Sequence, residues 1–127
     1  MFKYKEYNLI STVCQYVTHP VTALVLETDE GEPYATVSTN LEEVSVLHGR
    51  NFIWVPLYKV GHLLPAMLKE GILIDPERPN YYQGYGEFKL FEINFKKVDQ
   101  FIDVTYDEEN NTLIDGESPL EEGEYEE

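Results

Sequence analysis

The stretch Val21-Thr-Ala-Leu-Val-Leu-Glu-Thr28, Asp29-Glu-Gly-Glu32, Pro33-Tyr-Ala-Thr-Val-Ser-Thr-Asn40 decides the fold. Its first eight residues are rich in β-branched and apolar side chains, a composition that suits a pleated, half-buried surface. The four that follow are polar. Gly31 among them reaches positive φ without a Cβ clash, which a tight turn demands. Pro33 to Asn40 then resumes a strand composition. Two such runs about a short polar turn predict a β-hairpin.

Toward the N-terminus, Phe2 and Tyr4 alternate with Lys3 and Lys5. This predicts a half-buried strand or an ordered arm within residues 2–10. Ser11 to Thr18 has a strand composition, interrupted by His19-Pro20. On the other side, Leu41 to Asn51 links the hairpin to a short buried strand, Phe52 to Val55, which Pro56 ends. Leu57, Val60, Leu63, Leu64, Met67 and Leu68 recur at three- and four-residue spacing, predicting one amphipathic helix from about Tyr58 to Glu70. Gly61 and Pro65 allow a later start near His62, with Pro65 in the first turn. Gly71 is a C-terminal cap candidate. Ile72 to Gly86, with two prolines and two glycines, reads mostly as loop. Glu87 to Phe95 reads as a strand with Phe91, Ile93 and Phe95 on one face. Phe101, Ile102 and Val104 add a short final element. The expected fold is α+β: an antiparallel sheet of four to six strands with one main helix over residues 1–102, then an acidic tail, 103–127.

Composition narrows the function classes. At 127 residues the chain has room for one domain, and 43% apolar residues, with ten Tyr and six Phe, supply a modest core. No apolar run approaches the ~20 residues of a membrane span, and no apolar segment follows Lys3 and Lys5 as in a secretory signal. These features predict a cytoplasmic protein without membrane contact. The single cysteine, Cys14, lies in an apolar run and reads as a buried structural thiol of a reducing compartment. His19, His48 and His62 lack metal-ligand spacing. Asp107 to Gly116 lacks the alternating ligands and closing Glu of a calcium loop. Gly84 and Gly86 lack the context of a phosphate cradle. No metal, no cofactor and no catalytic residue is expected, and the chain reads as a non-enzyme.

Charge is the sharpest signal. The 24 acidic and 9 basic residues give a net −15. Residues 103–127 hold eleven acids and no Lys or Arg, leaving −4 for residues 1–102. The acids are Asp103, Asp107, Glu108, Glu109, Asp115, Glu117, Glu121, Glu122, Glu124, Glu126 and Glu127. Such a chain does not neutralise phosphates, so direct nucleic-acid binding is not expected. A basic protein surface is the favoured partner. The tail has two readings: a solvated, solubilising end, or a contact element whose carboxylates take the places of phosphates in a basic groove. The interspersed Tyr106, Leu113, Ile114, Leu120 and Tyr125 favour contact, because solubility needs no apolar anchors. Tyr81, Tyr82 and Tyr85, on a Pro/Gly-flanked loop, are read either as a recognition cluster or as a cover for one edge of the core.

The segment Gly31-Glu-Pro-Tyr-Ala-Thr-Val-Ser-Thr-Asn-Leu41 resembles the central strand motif of a domain-of-unknown-function family from phages, plasmids and conjugative elements of Firmicutes and Bacteroidetes. Phe52 to Val55, residues 57–70 and Tyr81 to Phe95 stand in the order that the resemblance implies, over residues 5–96. It implies a small α+β domain of mobile-element origin and no catalytic residues; the acidic tail lies outside it. In size and charge the chain is also similar to acidic anti-CRISPR and antirestriction proteins. The expectation is a mobile-element inhibitor of a host nucleic-acid-binding defence protein, most simply a CRISPR effector or other defence nuclease, acting by acidic mimicry. The alternative is a phage structural or regulatory protein-binding module with a solubilising tail.

Overall fold

The computed structural model describes residues 1–15, 21–41 and 50–114. It is an α+β fold of mainly antiparallel sheet with one helical stretch. The chain opens with β1 (Phe2–Tyr4) and β2 (Tyr7–Gln15), antiparallel about a turn in which Lys5 takes φ 55°. A left-handed lysine carries none of the Gly or Asn signals of a turn, so residues 2–10 read in the sequence as one element. β2 then pairs with β3 (Thr22–Thr28) from Leu9↔Thr28 to Gln15↔Thr22.

The expected hairpin is present: β4 (Pro33–Thr36) returns along β3. It ends at Thr36, short of Asn40, because the backbone there changes partners. The Val37 and Ser38 amides donate to the Leu24 carbonyl at 2.9 and 3.4 Å, and the Thr39 amide donates to the Trp54 carbonyl at 2.9 Å. The chain thereby crosses from the first sheet to the second.

The first sheet has five strands, within the expected four to six. One edge of β2 is shared end to end by β1, over Tyr7 to Leu9, and by the parallel β9 (Gln100–Phe101), over Thr12 and Val13. Ser11 lies in the gap between them. Asp99 fills that gap: its Oδ2 accepts from the Ser11 amide at 2.9 Å and the Ser11 hydroxyl at 3.2 Å, its own amide donates to the Ser11 carbonyl at 3.1 Å, and its Oδ1 pairs with the Met1 amine.

A second, four-stranded sheet places β8 (Gly86–Ile93) between β5 (Phe52–Pro56) on one side and β6 (Leu73–Ile74) with β7 (Tyr81–Gln83) on the other. The two short strands punctuate residues 72–86, which the sequence reads mostly as loop. Strand alternation gives this sheet two buried faces. Ile53, Val55, Phe91 and Ile93 enter the main core with Leu9, Val13, Leu24, Leu26 and Val37; Trp54, Phe88 and Leu90 form a smaller core with Leu41 on the other face.

The helical stretch is α1 (Leu57–Val60), a 3-10 turn (Gly61–Leu63) and α2 (Leu64–Glu70). It buries Val60, Leu63, Leu64 and Met67 in the main core, with Leu57 half-buried against it; Leu68, expected in the same stripe, is exposed. Pro65 sits in the first turn of α2, and Gly71 caps it at φ 81°, with the Gly71 and Ile72 amides donating to Leu68 and Met67 carbonyls, both at 3.1 Å. Among the described residues no helix is long and apolar enough to cross a membrane.

Regular structure continues past residue 102. β10 (Thr105–Asp107) and β11 (Thr112–Ile114) form an antiparallel hairpin. Leu113, 6% exposed, joins the main core. The Tyr106 ring stacks on Phe101 with centroids 4.9 Å apart and planes 2° from parallel. Asn51 ties the hairpin to the second sheet. Its Nδ2 donates to the Asn111 carbonyl at 3.1 Å, its Oδ1 accepts from the Thr112 hydroxyl at 3.0 Å, and its carbonyl accepts from the Ile93 amide at 2.7 Å. The first twelve residues of the acidic stretch therefore include a packed element, and the apolar residues that the sequence offers there as partner anchors serve the protein's own core.

Candidate functional site

Two groups of the described carboxylates lie toward opposite ends of β2. At one end the β1–β2 and β3–β4 turns meet, because the Leu9↔Thr28 register aligns them. The Asp29 amide donates to the Asn8 carbonyl at 3.0 Å, and Asn8 Nδ2 donates to Asp29 Oδ2 at 3.3 Å. The Thr28 amide closes the second turn on the Glu32 carbonyl at 2.8 Å, with Gly31 at φ 87°. Between the turns lies a depression of about 360 Å³ lined by Glu6, Asp29, Glu30 and Glu32 with Tyr7, and by no Lys or Arg. Tyr34 stands 5.1 Å from Tyr7, and Tyr4 stands 6.5 Å from Tyr34, giving an aromatic wall. Of these acids the sequence singles out Asp29, Glu30 and Glu32, as a polar turn and as folded-part acids open to sharing the tail's contact. Glu6 was missed, since its turn has no glycine to announce it.

At the other end lie Asp103 and the β10–β11 hairpin. Asp103, in left-handed backbone at φ 59°, faces Cys14. Burial and then the Asp103 charge push the Cys14 thiol above its ordinary pKa; the side chain is half-buried, where the sequence reading expects a buried thiol. An extended chain rises about 3.3 Å per residue, so the six residues from Asn8 to Cys14 separate the two acidic groups by roughly 20 Å.

The hairpin tip divides the acids by role. Asp107 is committed to its own turn: its Oδ2 accepts from Asn110 Nδ2 at 2.6 Å, and its Oδ1 accepts from the Glu109 amide at 3.1 Å. The Asn110 side chain, and against a smaller effect of burial the two backbone amides, hold its carboxyl below the usual range. Glu108 and Glu109 project into solvent. Tyr106 beneath them is pushed to a higher pKa by burial and then by the Glu108 and Asp107 charges. Asn111 takes φ 52°, and the pair Asn110-Asn111 is the turn signal that the reading of this stretch as a tail passed over. The expected contact residues Asp115, Glu117, Glu121, Glu122 and Glu124 lie outside the described residues, as do His19 and His48.

The structure does not bring the three tyrosines together on one face, and Tyr81 and Tyr82 belong to a strand. In β7, Tyr81 pairs Phe88 while Tyr82 pairs Glu87, which puts their side chains on opposite faces. Tyr81 turns inward, 5.9 Å from Trp54, and covers the smaller core. Tyr82 is exposed and donates its hydroxyl to Glu87 Oε2 at 3.0 Å, which Asn80 Nδ2 also reaches at 2.6 Å. Tyr85 at the turn is fully exposed. Its neighbour in space is Tyr58, which the sequence counts only as a helix boundary.

Among the described residues no group of three or more His, Cys, Asp or Glu is placed to hold a metal ion. What the acidic groups can do chemically is accept charge-assisted hydrogen bonds from guanidinium and ammonium groups, with tyrosine faces beside them for cation stacking. No family model, curated protein or solved structure matches this chain.

Proposed function

We propose that this chain is a non-enzymatic, mobile-element protein that inhibits a host nucleic-acid-binding defence protein, a CRISPR effector nuclease in the first instance, by laying carboxylates along its basic channel. One observation carries the reading: eleven acids and no base lie in residues 103–127, and this stretch starts on a hairpin packed into the core through Leu113 and Tyr106. A solubilising end needs no anchor. An element that must present charge in register to a partner does, because a fixed exit point lowers the ordering cost of binding. The motif resemblance at Gly31 to Leu41 supports the mobile-element origin, and the bacterial cytoplasm would be the place of action.

The test compares the full chain with a variant carrying Gln or Asn at the acids from Asp115 to Glu127, against a guide-loaded CRISPR nuclease. Loss of target-DNA binding with the full chain alone, weakening steeply as salt rises, supports the reading. Equal inhibition by both moves the contact to the acids the variant keeps, Glu108 and Glu109 on the hairpin or Glu6, Asp29, Glu30 and Glu32. No effect across several effector types sinks it. A second reading, a phage protein-binding module, is favoured by the acid-free aromatic surface around Tyr58.

A further inference from the structure

Two depressions that share Tyr58 have no acid in their lining, unlike the depression between the β1–β2 and β3–β4 turns. One, of about 410 Å³, is lined by Tyr58 with Gln83, Tyr85, Gly86 and Phe88. The second, also of about 410 Å³, is lined by Tyr58 with Thr36, Thr39, Pro56 and Lys59 among others. Neither is lined by a carboxylate, in a chain with 24 of them. Glu87, the acid nearest in sequence, is turned to the opposite face of the β7–β8 hairpin by its pairing with Tyr82.

The first depression is built, not incidental. Phe88, 6% exposed, forms its floor, and Tyr58 meets that ring edge-on at 5.9 Å and 84°. This packing needs glycine at 86: a Cβ there would come within 2.9 Å of the Phe88 ring and 3.0 Å of the Tyr58 ring. Tyr58 and Tyr85 nevertheless stay 63% and 110% exposed, so two aromatic rings stand in water over an apolar floor. In the second depression Lys59 is exposed and makes no ion pair among the described residues.

We propose that these two depressions form a second docking surface, taking an extended segment of a partner protein that carries a proline or leucine followed by a carboxylate. The apolar residue sits between Tyr58 and Tyr85 on Phe88, as aromatic-walled grooves take polyproline-type chains. The chain then passes over the Tyr58 ring. An extended chain advances about 3.3 Å per residue, so crossing one ring sets the carboxylate on Lys59 about two residues further on. Charge complementarity selects that occupant: a basic segment would meet Lys59 with no acid lining either depression to receive it. The surface is separate from the acidic ends of β2, and the proposal stands whether or not those bind a basic channel.

The experiment is a titration of the ¹⁵N-labelled full chain with the blocked peptide Ala-Pro-Pro-Leu-Ala-Glu and with a twin ending in Lys, read by amide shifts. The expected result is saturable shifts at Tyr58, Lys59 and Gln83 to Phe88, with a Kd of about 1 mM or tighter for the Glu peptide. The Lys twin should bind about three-fold more weakly, the size of effect an exposed ion pair supplies. Lys59→Glu should reverse that preference, and Tyr58→Ala should abolish the shifts, both without altering the rest of the spectrum. Absence of shifts, equal binding of the two peptides, or an unchanged preference in Lys59→Glu would overturn the proposal. Dilution-dependent shifts at the same amides without peptide would overturn it in favour of a second copy of this chain.

Discussion

Leu113→Ala probes the point at which fold and function meet, the anchoring of the acidic stretch. Leu113 is 6% exposed and packs into the main core from a strand of three residues. Removing its three outer carbons forfeits about 2.4 kcal/mol at ~0.8 kcal/mol per CH₂. The cavity left behind adds to this, and buried Leu→Ala changes span ~2.7–5.0 kcal/mol. A short hairpin at the rim of the core can settle into part of the space, so the lower end, about 2.5–3 kcal/mol, is expected. At about 4 °C per kcal/mol for a chain of this size, Tm falls by ~10–12 °C. The assay is thermal and guanidinium unfolding followed by the fluorescence of the buried Trp54, with the midpoint moving and the m-value unchanged. Leu113→Met, which conserves volume, should cost less than ~1.5 kcal/mol. A Tm shift below ~2 °C for Leu113→Ala would refute the packing of the hairpin, and with it the anchored exit of the acidic stretch.

Three further outcomes follow from named contacts. Asp99→Ala leaves the amide of fully buried Ser11 without its acceptor and should cost about 1–3 kcal/mol in denaturant unfolding. Burial raises the Asp99 pKa, but the Met1 amine and the Ser11 donors outweigh it and hold the carboxyl low, so its contribution is present above the ordinary value of ~3.9 and is lost as pH falls below it; the gap between Asp99→Ala and the parent should close there. Gly71→Ala meets no close contact but must take φ 81°, and should cost roughly 1–2 kcal/mol by the same unfolding measurement. Glu108→Gln with Glu109→Gln, both exposed, should leave stability within about 0.5 kcal/mol, and should slow association with a basic partner at low salt in stopped-flow measurements.

What the sequence made legible is what local chemistry controls. The 21–40 hairpin turns on Gly31, the 52–56 strand stops at Pro56, and the helix buries its spaced apolar stripe and ends at Gly71. What it hid depends on partners distant in the chain. β4 stops early because Val37, Ser38 and Thr39 bond to Leu24 and Trp54. Lys5 takes left-handed backbone without a turn residue's signature. Leu113 reads as an apolar anchor for a partner until the hairpin carries it to the core. The candidate site shows the same division. Excess acid is plain in the composition, but the meeting of Glu6 with Asp29, Glu30 and Glu32 follows from strand register. The splitting of Tyr81 from Tyr82 follows from their being on a strand, and the pairing of Tyr58 with Phe88 across Gly86 joins residues far apart in sequence.

The most direct test of the account is competition at a basic channel. Labelled target DNA bound to a guide-loaded CRISPR nuclease would be titrated with the full chain and with the variant neutralised from Asp115 to Glu127, each at low and physiological salt. The account predicts displacement by the full chain that weakens steeply with salt, and little by the neutralised variant. Displacement by both alike, insensitive to salt, would contradict it.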